Sequence, residues 1–161
     1  MRIIGKEFFG DLEKKAVESP RKRAHFNFHK SIDEDIHRLC IAADPETYIR
    51  PHRHSRLDAW ELLVILKGTA DVLIFDNDGT VKERIELSVS GETRAIEIDE
   101  NTFHGFIPHE KGSIVLEVKK GPYLPTPESD FAPWAPAEGS ENVPEFLSRL
   151  KKASPGTKLS C

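Results

Sequence analysis

Between Tyr48 and Gly68 the chain reads YIRPHRHSRLDAWELLVILKG, with His52, His54 and Glu61 standing just ahead of an apolar run that ends in glycine. Alternate residues of an extended segment project to the same side, about 7 Å apart. The two imidazoles can therefore converge on one ion, with Glu61 supplying an oxygen from the next strand. A mixed nitrogen and oxygen set of this kind suits zinc, iron, nickel or manganese better than calcium or magnesium. A fourth ligand is offered by IEIDENTFHGFI, residues 96 to 107, where His104 interrupts an apolar strand pattern after the turn Asp99-Glu100-Asn101. Asn101 is one of the few non-glycine residue types that tolerate positive φ. Any one of these histidines alone would read as a structural or surface residue. Four ligand-type residues on separate strands read together as a site for one divalent transition metal.

Parity extends the reading to Tyr48 and Arg50, which share the face of His52 and His54 if the strand is regular. A guanidinium on that face needs an anion, supplied by a protein carboxylate or by a ligand. The expectation is that Arg50, with Tyr48 beside it, meets an acidic or phosphorylated group of a small-molecule ligand. Asn27 and His29, in NFHKS ahead of the first expected strand, are further candidate ligand-binding residues at the mouth. Arg94 shares a face with Ile96 and Ile98 and reads as a paired rim residue.

The elements that must hold these groups are short β-patterned runs at about 37–42, 47–52, 59–66, 69–75, 81–87, 93–98, 103–107 and 113–119, separated by turn residues. That rhythm is all-β, a sandwich or barrel. The clearest turn is FDNDGT at Phe75 to Thr80, with Gly79 free to take positive φ. Ahead of the strands, KEFFGDLEKKAVE over 6–18 predicts a helix that Pro20 ends. Beyond Lys120 the chain becomes proline-rich, and GPYLPTPESDFAPWAPAEGS reads as an extended arm anchored by Phe131 and Trp134. A short helix over 143–151 and a disordered last ten residues complete the expectation. The division is a helical segment over 1–26, a barrel over 27–120 and the arm over 121–161.

The pattern His52-x-His54, Glu61, Gly68 and a later His104 resembles the two metal motifs of the cupin superfamily. More narrowly, YIRPHRH, WEL, FDNDG, LEVKKGPY and FAPWAPAEG are similar to the WbuC family of cupin-fold metalloproteins, over about Asn27 to Gly139. The resemblance implies a single-domain jelly-roll barrel, one metal held by three histidines and a glutamate, and a setting in surface-polysaccharide biosynthesis. Three departures stand out. Six residues separate His54 from Glu61 where most cupins have three or four, Asp99-Glu100-Asn101 replaces Pro-x-Gly, and Pro108 stands where many cupins place asparagine.

Composition bounds the rest. With Lys+Arg 23 against Asp+Glu 27 the formal charge is -4, which offers no basic field for nucleic acid. No apolar run is long enough to span a membrane, and the acids in MRIIGKEFFGDLEKK argue against a signal peptide. A cytoplasmic protein is expected, with Cys40 in the core and no internal disulfide to Cys161. The aromatic arm and the need to cover strand edges point to a homodimer. Two function classes stand side by side. One is a metal-dependent isomerase, hydrolase or oxygenase acting on a small polar, sugar-related substrate; the other is a non-catalytic binding or sensing module that uses the metal structurally.

Overall fold

The computed structural model describes residues 1–160; Cys161, and the sequence reading that concerns it, lie outside the described residues. Two antiparallel sheets carry the fold. The first has the order β1 (Arg23–Asn27), β2 (Ile36–Ala43), β8 (Ser113–Lys120), β3 (Glu61–Lys67) and β6 (Ala95–Ile98); the second has β5 (Val81–Ser88), β4 (Thr69–Phe75) and β7 (Phe103–Pro108). The all-β reading with an N-terminal helix holds.

Both faces of the first sheet are covered, which explains why ELLVILK is nearly uninterrupted in its apolarity rather than alternating. On its outer face lies helix α1 (Lys6–Glu18), whose Leu12 and Ala16, one turn apart, pack with Phe8 against Cys40, Ala42 and Ile114. Burial in this layer pushes the Cys40 thiol up to about 11, so it behaves as a small core residue. Between the sheets Leu63, Ile65, Val72, Leu87 and Val115 form the central core. A third cluster covers the outer face of the second sheet. There Leu73, Phe75, Phe103 and Ile107 pack against Trp134 of the arm and against Phe146 and Leu150 of helix α2 (Val143–Lys152). The arm therefore closes its own chain's second sheet.

Four sequence expectations change. The strand expected over 47–52 does not form; residues 47–51 have no regular secondary structure, and only His52 makes ladder-like bridges, to His104 and Phe131. A strand the sequence reading missed, Arg23–Asn27, pairs with β2 instead and straddles the boundary expected at residue 27. Its RAHFN pattern lies directly behind a basic cluster, which hid a half-buried strand whose inward partners come from α1. The strand read from residue 59 starts at Glu61. Residues 156–159 are held against the β4–β5 hairpin, where a disordered end was expected: Val81 N–H donates to Thr157 O (2.8 Å), Leu159 N–H donates to Gly79 O (3.0 Å), and Leu159 is buried. Gly79 has φ +88, and a Cβ there would run into the Leu159 carbonyl and the Trp134 ring, so glycine is needed for both the turn and the tail. Among the described residues, no helix is long and apolar enough to cross a membrane.

Candidate metal centre

The site is assembled from three pieces of chain. Glu61 opens β3 and lies between Lys119 of β8 and Ile98 of β6. His104 is the second residue of β7, directly opposite His52, with which it exchanges both backbone bonds: His52 N–H to His104 O at 3.1 Å and His104 N–H to His52 O at 2.9 Å. On its other side the Pro51–Arg53 segment pairs with the arm, through Arg53 N–H to Asp130 O and Ala132 N–H to Pro51 O, each 2.9 Å. The residues flanking His52 are thus a bridged segment, outside any named strand, held by β7 and by the arm. His54 is tied from the opposite turn, where Asn101, at φ 60, donates its N–H to His54 O (2.8 Å). Asp130 completes the hold, its Oδ2 accepting from Ser55 N–H (3.2 Å) and Ser55 Oγ–H (2.8 Å).

The side chains converge. One ring nitrogen from each of His52, His54 and His104 lies within 4.8 Å of the others. Glu61 Oε2 is 3.0 Å from His54 Nε2, and Glu61 Oε1 is 3.7 Å from His104 Nε2. The structure brings the three histidines named from sequence into one set, and Glu61 meets two of them, His54 and His104. Two ring orientations are fixed from behind, His52 Nδ1 lying 3.0 Å from Arg50 O and His104 Nδ1 2.9 Å from Thr102 O. Each Nδ1 must carry a hydrogen to donate to a carbonyl, which leaves each Nε2 with a free lone pair. Nε2 of His104 is buried and has no hydrogen-bond partner among the described residues. An orphaned buried acceptor facing two imidazoles and a carboxylate is the arrangement a metal ion would satisfy.

Electrostatics agree with ligation. Burial, with the His104 ring nearby, lowers His52 to about 3 against the opposing pull of Glu61, and burial likewise lowers His104. Both rings are neutral near pH 7, the form that binds metal. Burial would raise Glu61, but the hydrogen bond from His54 and the neighbouring positive charge override it and hold the carboxyl well below its usual range. The sign for stability follows. Groups with depressed folded pKa values stabilise the fold above their unfolded values and lose that contribution as pH falls. The metal-free protein is expected to lose thermal stability as pH falls from about 6.5 toward 3, and a His52→Gln variant to lose less. A flat Tm over that range in the unaltered chain would refute the buried neutral His52.

The ligand-binding candidates fare differently. Tyr48 is buried in the outer cluster, its hydroxyl donating to Pro136 O (2.8 Å) and its ring against Phe146. Arg50 turns to the arm, with Nη1 2.7 Å from Glu128 Oε1, Nε donating to Ala135 O (3.1 Å) and Nη2 to Ala132 O (3.3 Å). Neither side chain lines a cavity at the site, because Tyr48 and Arg50 precede the paired segment and the strand parity that would have turned them inward does not apply. Asn27 is exposed at the end of edge strand β1, and His29 stacks on His37 with ring centroids 4.0 Å apart.

Two spaces reach the site. An interior cavity of about 160 Å³ is bounded by His52, Glu61, His104 and, beyond them, Glu117 and Lys119. A groove of about 420 Å³ is lined by His54, Trp60, Lys119 and the Pro122–Pro127 stretch. Glu117 Oε1 and Lys119 Nζ are 2.5 Å apart. Burial, then the charges of Glu61 and Lys119 in opposite senses, leave Glu117 above the usual carboxylate range; burial lowers Lys119, but Glu117 and Glu61 raise it further. Sequence reasoning missed this pair, although charges at alternate positions of LEVKK, an otherwise apolar strand, were the available signal. A separate grouping of Asp71, Glu86 and His109 is an ion-pair network, since Asp71 is taken by Arg84 and by His109 at 2.7 Å.

A family model described as a domain of unknown function, DUF6016, matches residues 4–87, just over half of the chain. The chain belongs to the DUF6016 family. The matched part of this DUF6016 chain holds His52, His54 and Glu61 but stops short of His104. No curated protein matches it. Among solved structures it is similar to KdgF from Halomonas sp., at 20% identity and TM-score 0.51, covering 66% of this chain and 84% of that one. A cupin superfamily protein from Desulfitobacterium hafniense matches at 11% identity and TM-score 0.48, covering 61% and 76%. Bacillus subtilis oxalate decarboxylase, described with Mn(II) centres, matches at 19% and 0.49, covering 69% of this chain and 28% of that one. The DUF6016 chain has a cupin-like fold.

Proposed function

We propose that the chain is a metal-dependent enzyme acting on a small polar molecule, with one divalent ion, zinc, iron, nickel or manganese, held by His52, His54, Glu61 and His104. The observation that carries this reading is the inward-facing set of imidazole nitrogens within 4.8 Å, backed by carbonyl-fixed tautomers and the partnerless His104 Nε2. Three nitrogens and one carboxylate form a borderline donor set that these metals accept. A bound ion would supply Lewis acidity at any position the protein leaves open. The chain's own residues do the rest. Glu61 offsets the ion's charge, the carbonyls of Arg50 and Thr102 hold two rings in register, and the groove at His54 gives a small molecule a way in. That access favours chemistry over a purely structural ion; isomerisation, hydrolysis and oxygenation all suit such a site. The similarity of YIRPHRH and LEVKKGPY to the WbuC family supports a cytoplasmic, sugar-related substrate in polysaccharide biosynthesis. Elemental analysis of untagged, chelator-free protein is expected to give about one transition-metal equivalent per chain. No metal on purification and none on reloading would refute the reading.

The assembly we propose is a homodimer. Its support is the exposed Ile36, Leu57, Tyr123 and Leu124, together with the short edge strand β6. A monomer by light scattering at micromolar concentration would overturn it.

A further inference from the structure

The groove at His54 carries information about what it admits. Trp60 and the proline-rich stretch ending at Pro127 both line it, with Tyr123 half exposed, and most of its surface is apolar or aromatic. Its volume, about 420 Å³, is that of a site for a small molecule. The cations that line it outnumber the acids. Lys119, Lys120 and Arg56 line it with a single acid, Asp130, whose Oδ2 already accepts two bonds from Ser55; Lys120 is paired with Asp58 (2.9 Å), and Lys119 with Glu117, neither of them a lining residue. Arg56 donates to the carbonyls of Lys120 (3.0 Å), Gly121 (2.8 Å) and Pro122 (3.1 Å), which fix the guanidinium without neutralising it; among the described residues it pairs with no carboxylate. Lys119 reaches from the groove to the interior cavity, and its ammonium keeps further donors after meeting Glu117.

Resting on the metal-centre reading for its place in the molecule, we infer that this groove binds a small organic acid, its carboxylate at Lys119 beside His54 and its carbon skeleton against Trp60. A carboxylate gains a charge-assisted hydrogen bond from the lysine and the positive field of the rim, and the flat indole face takes a ring or carbon chain. A neutral molecule of the same shape keeps only the second contribution. The anion-binding role that strand parity gave to Arg50 thus passes to Lys119 and Arg56, which line the groove as Arg50 does not.

Tryptophan fluorescence tests this directly, since the chain has two tryptophans and Trp134 is buried in the outer cluster away from the groove. Lactate, benzoate and gluconate would be titrated into metal-loaded and metal-stripped protein, each beside its neutral amide. At least one acid is expected to change the Trp60 signal saturably, with its amide about tenfold weaker or more, and the change should vanish in Trp60→Phe. Lys119→Met should weaken the acid by about tenfold with metal content unchanged. Because that variant leaves Glu117 buried without its partner, the Glu117→Gln/Lys119→Met pair serves as the folded check. Equal binding of acid and amide, no response to any of the three acids, or full affinity in both Lys119 variants would overturn the inference. Failure of the metal reading shows separately, as absent metal by elemental analysis; acid binding that persists in stripped protein and is lost with Lys119 would sustain the groove assignment by itself.

Discussion

Replacing His52 and His54 together with alanine is expected to remove nearly all bound metal while leaving the sheets folded. Loss of an outer partner of a metal-bound histidine commonly costs 10–100-fold in affinity, so losing two direct ligands should cost more than about 100-fold. The remaining pair, Glu61 and His104, lies 3.7 Å apart and forms at most a two-point hold. The fold should survive because the backbone bonds of the Pro51–Arg53 segment to β7 and to the arm do not involve either imidazole. Metal content by elemental analysis, read beside an unchanged circular dichroism spectrum, is the measurement. Wild-type metal content in the double variant would sink the four-residue assignment outright.

Trp134→Ala is expected to be the most damaging single change outside the site. The indole lies 4.8 Å from Phe75, 6.3 Å from Phe103 and 6.4 Å from Phe146 by ring centroids, joining the second sheet, the arm and helix α2 in one cluster. Truncating a buried aromatic of this size costs about 3–5 kcal/mol, a large part of the stability of a domain this long. Trp134→Phe should cost clearly less, since most of the contact area is kept. Urea denaturation decides it; a loss under about 1 kcal/mol for the alanine variant would mean that the arm contributes little to the closed second sheet.

The candidate metal residues were legible because residue type, spacing and the apolar run behind Glu61 are local properties. So were α1, the turn at Gly79 and seven of the strands, all carried by short-range periodicity. Arg50 shows the limit. Its orientation depended on whether residues 47–52 form a regular strand, and that is decided by partners far along the chain, β7 on one side and residues 130–132 on the other. The same applies to Leu159, a single apolar residue in a polar tail whose burial is set by the hairpin at Gly79. Glu117 and Lys119 were visible as letters, but their chemistry arises only when β8 is laid beside β3 and Glu61 comes opposite Lys119.

The clamp on the histidine segment has a consequence for how the protein comes into being. Ser55 and the Asp130 that holds it are 75 residues apart. At about 5–20 residues per second of synthesis, Ser55 leaves the ribosome roughly 4–15 s before Asp130. The nascent protein therefore spends that interval without the Ser55–Asp130 contact, with only Asn101 and His104, once they are made, to hold the histidine segment. A chain terminated before Asp130 would keep His52, His54, Glu61 and His104 but lack the arm's hold on the Pro51–Ser55 segment.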